Sequence, residues 1–157
     1  MATKKESYYL AKLEWLGPIL VRGLRLLSSV EALGQEFSFS QTMVLQALLM
    51  RRESKMTELA RFLGLTKANT TGLIDRLVKK GLVDRKHSEE DRRAVYVWLT
   101  PAGQRAARKL AAVHREGLAQ MMRRIPDKNL AVFIDTLDAM VVGMAETQKD
   151  LLPPSKS

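Results

Sequence analysis

Residues 56–83 read Met56-Thr57-Glu58-Leu59-Ala60-Arg61-Phe62-Leu63-Gly64-Leu65-Thr66-Lys67-Ala68-Asn69-Thr70-Thr71-Gly72-Leu73-Ile74-Asp75-Arg76-Leu77-Val78-Lys79-Lys80-Gly81-Leu82-Val83. The apolar spacing predicts two short helices. Thr57 is the expected cap of the first, Glu58 to Leu63, and Thr66 of the second, Lys67 to Lys80. Gly64 supplies the turn between them, and Gly81 a stop where positive φ costs glycine nothing. Leu59, Leu63, Leu65 and Leu73 can pack the pair together, with small Ala60 where they cross. Leu73, Ile74, Leu77 and Val78 then face inward, which leaves Lys67, Asn69, Thr70, Thr71, Asp75, Arg76 and Lys79 for other faces. A helix that enters a major groove reads bases through its N-terminal half, where Asn, Thr and Lys serve as donors and acceptors. A plain helical hairpin with a solvated polar face is the alternative on this stretch alone.

Downstream the helical period gives way to two strand candidates, Leu82–Lys86 and Ala94–Leu99, joined by the polar stretch His87–Arg93. Alternating β-branched and aromatic residues mark the second strand. Thr100-Pro101 restarts a helix, with Thr100 as N-cap and Pro101 at N1. Ala106, Leu110, Val113, Leu118 and Met121 give that helix an apolar face, and Ile125-Pro126-Asp127 closes it. A last helix is expected over about 127–148, and residues 149–157 read as a frayed tail. Upstream, Leu10, Leu13, Leu16, Leu20, Leu24, Leu27 and Val30 give residues 8–32 a helical period. Gly17-Pro18 either kinks that helix or splits it. Gly34 ends the segment, and Ser40 is the expected cap of a helix over about 41–51. The fold class is mainly α with a small β-wing. A single domain of 157 residues comprises a winged helix-turn-helix lobe over 40–100 and long terminal helices over 8–32 and 102–148.

The charge is concentrated. The chain carries a formal +9, yet residues 51–125 alone hold 18 Lys/Arg against 8 Asp/Glu. A basic block of this kind suits a nucleic acid or another anionic surface. The chain has no cysteine, which excludes disulfides, thiolate nucleophiles, zinc–cysteine sites and thiol redox sensing. No apolar run is long enough for a membrane span, and the start lacks the apolar core of a signal peptide, so a cytoplasmic protein is expected. His87 and His114 are the only histidines; no metal site, cofactor or enzyme chemistry is expected.

Together, Leu59-Ala60-Arg61-Phe62-Leu63-Gly64-Leu65, Ala68-Asn69-Thr70-Thr71-Gly72-Leu73-Ile74-Asp75-Arg76-Leu77, Lys80-Gly81-Leu82-Val83, Asp91-Arg92-Arg93 and Leu99-Thr100-Pro101-Ala102-Gly103 resemble the MarR-type winged helix-turn-helix transcriptional regulators. The element order matches over about residues 8–148. The resemblance implies a homodimer on double-stranded DNA, with each recognition helix in a major groove and each wing along the adjoining minor groove of a pseudo-palindromic site. It implies DNA contacts from Lys55, Thr66, Lys67, Asn69, Thr70, Thr71, Arg76, Lys86, Asp91, Arg92 and Arg93, and terminal helices interleaved at the dimer axis. Tyr8, Leu10, Leu13, Leu130, Phe133, Leu137, Met140 and Met144 are the expected dimer residues. The stripe from Leu130 to Met144 has no obvious partner in so small a chain, a core within the monomer being the alternative. Many members of the family bind small aromatic or anionic ligands between lobe and dimer helices. Trp15, Ile19, Met43 and His114 are candidates for such a pocket, although ordinary packing explains them as well. Gly72 departs from the family pattern, in which a longer and often basic side chain is common.

Glu89-Glu90-Asp91 precede the wing arginines. Asp91 is expected to brace the guanidinium of Arg93, or of Arg92, through a charge-assisted hydrogen bond. Glu89 and Glu90 read as solvated tip residues that limit indiscriminate phosphate binding. Two other functions fit the sequence: a helical protein–protein adaptor with a vestigial winged helix, and a nonspecific architectural DNA binder.

Overall fold

A computed structural model describes residues 3–28, 37–91 and 93–147. In chain order the elements are α1 (Lys4–Ser28), α2 (Phe39–Arg51), β1 (Glu53–Lys55), α3 (Met56–Phe62), α4 (Lys67–Lys79), β2 (Val83–His87), β3 (Val95–Leu99), α5 (Pro101–Met122) and α6 (Asp127–Thr147). Val30, Gly34, Arg92 and the expected tail 149–157 lie outside the described residues.

Pro18 sits inside α1, which is one helix rather than two. Its ring removes the bond to the Glu14 carbonyl, and this part of the helix is exposed, so water can serve that carbonyl instead. At its start, the Thr3 amide donates to Glu6 Oε2 at 2.6 Å and the Glu6 amide to Thr3 Oγ1 at 3.2 Å. The Thr3 amide first, and the Thr3 side chain second, hold the Glu6 carboxyl below its ordinary range by hydrogen bonding to it.

Ser38, not Ser40, caps α2: its hydroxyl accepts from the Gln41 amide while Gln41 Oε1 accepts from the Ser38 amide. This reciprocal pair satisfies two orphan donors, which Ser40 could not do without a Glu or Gln three residues on. The cap of α3 is likewise Lys55, with no side-chain bond, rather than Thr57. That earlier start follows from β1, a strand that runs directly into the helix.

β1 pairs antiparallel with β3 (Glu53 opposite Trp98, Lys55 opposite Tyr96), and β3 with β2 (Val83 opposite Leu99, His87 opposite Val95). The wing is therefore a three-stranded sheet in the order β1-β3-β2, not the expected two-stranded hairpin. Val97 and Leu99 point into the core; Tyr96 and Trp98 lie on the opposite, half-exposed face.

Two glycine turns fix the helix-turn-helix. At Gly64 (φ 63°) its amide donates to the Arg61 carbonyl and the Leu65 amide to the Ala60 carbonyl. Gly81 (φ 69°) repeats this pattern with Val78 and Leu77. Both are Schellman closures, which require a left-handed residue after the helix. The start of α5 is tied to the second: the Thr100 amide donates to Leu82 O at 3.0 Å and Thr100 Oγ1 to Gly81 O at 2.7 Å. The same hydroxyl accepts from the Gly103 amide at 3.0 Å as the α5 cap. Gly103 passes so close that a Cβ there would lie 1.8 Å from Leu82 O.

The core runs from α2 (Val44, Leu45, Leu48) through α3 (Leu59) and α4 (Ile74, Leu77) to Val83, Val97 and the first turns of α5 (Ala107, Leu110). The Arg51 guanidinium stacks on Phe62 at 4.5 Å, tying α2 to α3. Among the described residues no side chain of α1 or α6 is buried.

Candidate nucleic-acid interface

Thr66 caps α4, its hydroxyl accepting from the Asn69 amide at 3.2 Å. Leu73, Ile74 and Leu77 anchor the helix in the core, so its remaining faces are those a partner can reach. Lys67, Asn69, Arg76 and Lys79 are exposed and Thr71 half-buried. Thr70 is not available. It is fully buried, and its hydroxyl donates to the Thr66 carbonyl at 3.0 Å. It shares the inward stripe with Leu73, Ile74 and Leu77, three, four and seven residues on, and so belongs to the core rather than to the interface.

A cleft of about 310 Å³ opens between β1, the start of α4 and the wing. Lys55, Lys67, Thr71 and Arg93, four of the residues named from sequence, line it together with Thr57, Arg85 and His87. No carboxylate lines it, so it concentrates positive potential. Asn69 and Arg76 lie around the helix, in a separate depression with Ser40 and Gly72.

Lys86 is placed elsewhere. Side chains alternate along a strand, and Lys86 lies on the sheet's outer face, paired with Glu89 at 2.5 Å and near Glu53, Tyr96 and Trp98. Its neighbour Arg85, missed in the sequence, takes the cleft position. The period-two count from buried Val83 through Arg85 to His87 was the signal that could have found it. Arg85 Nη1 is 2.6 Å from Asp75 Oδ1, a bridge from strand to recognition helix. With both side chains 42% exposed, solvent screening limits it to about 0–1 kcal/mol.

At the wing tip Asp91 does not brace a described guanidinium. Its Oδ1 accepts from the backbone amide of Arg93 at 2.9 Å. A carboxylate two residues before an amide closes an Asx turn, so Asp91 fixes the backbone that carries Arg93. The Ser88 hydroxyl accepts from the Glu90 and Asp91 amides, and the Ser88 amide donates to Ala94 O at 2.9 Å. The tip is thus a hydrogen-bonded turn, with Glu89, Glu90, Asp91 and Arg93 exposed on it.

The other sequence candidates lie on the long helices. Tyr8, Leu10, Leu13, Phe133, Leu137, Met140 and Met144 are 42–61% exposed, and Leu130 is half-buried. Trp15 and Ile19 are 67% and 53% exposed on α1, whereas Met43 and His114 are half-buried. His114 Nδ1 is 3.3 Å from Gln46 Nε2, an α2–α5 contact. No described helix is long and apolar enough to cross a membrane.

The element order, the glycine turns and the three-stranded wing define a winged helix-turn-helix protein. Residues 37–95 match the model described as the MarR family. The uncharacterized HTH-type transcriptional regulator YfiV of Bacillus subtilis (strain 168) is 37% identical over 102 residues, 62% of each chain. The chain thus spans about three fifths of that relative's length. A MarR family protein from Bacillus stearothermophilus superimposes with a TM-score of 0.78 at 24% identity, over 92% of this chain and 99% of that one. Streptococcus pneumoniae FabT in complex with DNA does so with a TM-score of 0.74 at 20% identity, over 88% and 99%. A further relative, the HTH-type transcriptional repressor YetL of Bacillus subtilis (strain 168), is 29% identical over 106 residues, 66% of this chain and 64% of that one.

Proposed function

We propose that the protein is a dimeric, sequence-specific DNA-binding regulator that acts as a repressor and responds to a small ligand. The observation that carries this reading is the carboxylate-free cleft in which Lys55, Lys67, Thr71, Arg85 and Arg93 meet beside the exposed start of α4. Lys67, Asn69 and Thr71 are a suitable set for base edges in a major groove. Arg93, with Arg92, suits the narrow minor groove that flanks it. That FabT, similar in fold, has been crystallised in complex with DNA supports DNA as the partner.

Two copies are joined in this reading through the apolar faces of α1 and α6, and the operator is an approximate palindrome matching their two-fold axis. A small aromatic or anionic ligand near Trp15, Ile19, Met43 and His114 changes the spacing of the two recognition helices, so that they no longer fit successive grooves. The protein works in the cytoplasm, where its DNA is.

Selection of bound sites from a random DNA pool yields a palindromic site. Arg92→Ala with Arg93→Ala lowers affinity for it by about 10- to 100-fold, or about 1.4–2.7 kcal/mol, with a shallower salt dependence. Undiminished affinity in that double variant sinks the reading. Equal binding of selected and random DNA points instead to an architectural binder.

A further inference from the structure

α4 has two flanks that a partner can reach. Lys67 and Thr71 line the cleft beside the wing. Asn69, Gly72 and Arg76 line the depression on the other flank, which has a volume of about 280 Å³ and runs to Ser40 at the start of α2. We propose that Arg76 reads a base, its guanidinium lying back over the bare glycine to meet the N7 and O6 of a guanine in the major groove. The assignment rests on the reading of the protein as a sequence-specific DNA binder and names a specificity determinant within it.

Sequence position alone argues against this role. Arg76 stands in the last turn of α4, where a cation favours the helix dipole, whereas base contacts come from the N-terminal half. The direction of the side chain reverses that argument. A long helical side chain leans toward the N-terminus and covers the turn before its own Cα, so Arg76 lies over position 72, four residues back on the same face. A Cβ added at Gly72 would meet Arg76 Nη1 at 3.8 Å. The guanidinium therefore borders the space that a side chain at 72 would fill. It is carried about 6 Å toward the helix start, to within about 5 Å of Asn69 along the axis.

The group is also uncommitted. No carboxylate lines the depression, and Arg76 enters no ion pair among the described residues. Its neighbour Asp75 is held instead by Arg85. Arg76 is exposed, so its planar fork of donors is open to a partner. That fork matches the two acceptors of guanine, and the amide of Asn69 beside it suits adenine. A phosphate contact, the other role open to Arg76, would carry no sequence information.

The test selects sites from a random duplex pool with the full chain. The selected site and its single-base-pair variants are then titrated with the wild type, Arg76→Ala and Gly72→Gln. The wild type is expected to prefer guanine at one position per half-site by at least about tenfold. Arg76→Ala loses that preference and keeps those at other positions. Gly72→Gln loses the same preference, although it removes no charge and raises helix propensity. Replacing that guanine by 7-deazaguanine, which lacks the N7 acceptor, weakens binding of the wild type but not of Arg76→Ala. Equal weakening of all sequences by Arg76→Ala, with a salt slope lower by about one, makes the residue a phosphate contact and overturns the proposal. An unchanged guanine preference in Gly72→Gln overturns it as well. If the wild type selects no site, the regulatory reading falls with it; uniform weakening at a site that the wild type does select strikes this inference alone.

Discussion

Val44, Leu45, Leu48, Leu59, Ile74 and Leu77 are all 0% exposed in the lobe, whereas on α6 Phe133, Leu137, Met140 and Met144 stand 42–57% exposed. The two regions are similarly apolar in sequence and differ in what the chain offers them. Lobe residues meet one another across α2, α3 and α4, which are joined by four-residue connections, so local contacts close a core. α6 packs only marginally on its own chain. Exposed apolar surface on that scale marks an association face. The lobe's stability is a property of one chain; in the proposed dimer, that of the long helices depends on association.

The largest expected effect is in the lobe. Leu45→Ala removes a fully buried side chain and costs about 2–5 kcal/mol in urea unfolding, with no dependence on protein concentration. Gly103→Ala follows at about 3 kcal/mol, because the new methyl meets a backbone oxygen at 1.8 Å that has no room to retreat. Leu137→Asp with Met140→Asp leaves the lobe's unfolding transition intact, but in sedimentation it weakens association at least about tenfold, about 1.4 kcal/mol. An unchanged association constant would locate the dimer elsewhere. Gly72→Ala has the smallest effect and the opposite sign. A Cβ there meets only Arg76 Nη1, at an ordinary 3.8 Å, so the helix gains about 0.5–1 kcal/mol in thermal unfolding. A simultaneous loss of DNA affinity would show that the glycine serves close approach to the groove.

Most of the fold was legible because its signals are local. Thr66, Gly64, Gly81, Thr100 and Pro101 announce themselves through capping and turn chemistry within three residues. β1 was not legible: Glu53-Ser54-Lys55 has no strand pattern of its own and exists only because β3 offers it an edge. Of the site, Lys55, Lys67, Thr71 and Arg93 do converge. Thr70 was misread because its polarity was weighed without its place on the inward stripe, and Lys86 because strand alternation was not counted from Val83. The bond of Asp91 to the Arg93 amide was not foreseen, because loop geometry of that kind is decided by backbone angles that composition does not encode.

The hydroxyl and amide of Thr100 grip the Gly81–Leu82 turn, and Gly103 presses against it, so the first turn of α5 and the last of α4 are bolted together. α5 has 22 residues and is about 33 Å long. Pivoted at its far end, it acts as a lever, and a tilt of about 5° carries the recognition helix through roughly 3 Å, nearly the rise of one base pair. In the proposed dimer, a small rotation where two chains meet would thus arrive at the other end of the rod as a change of register.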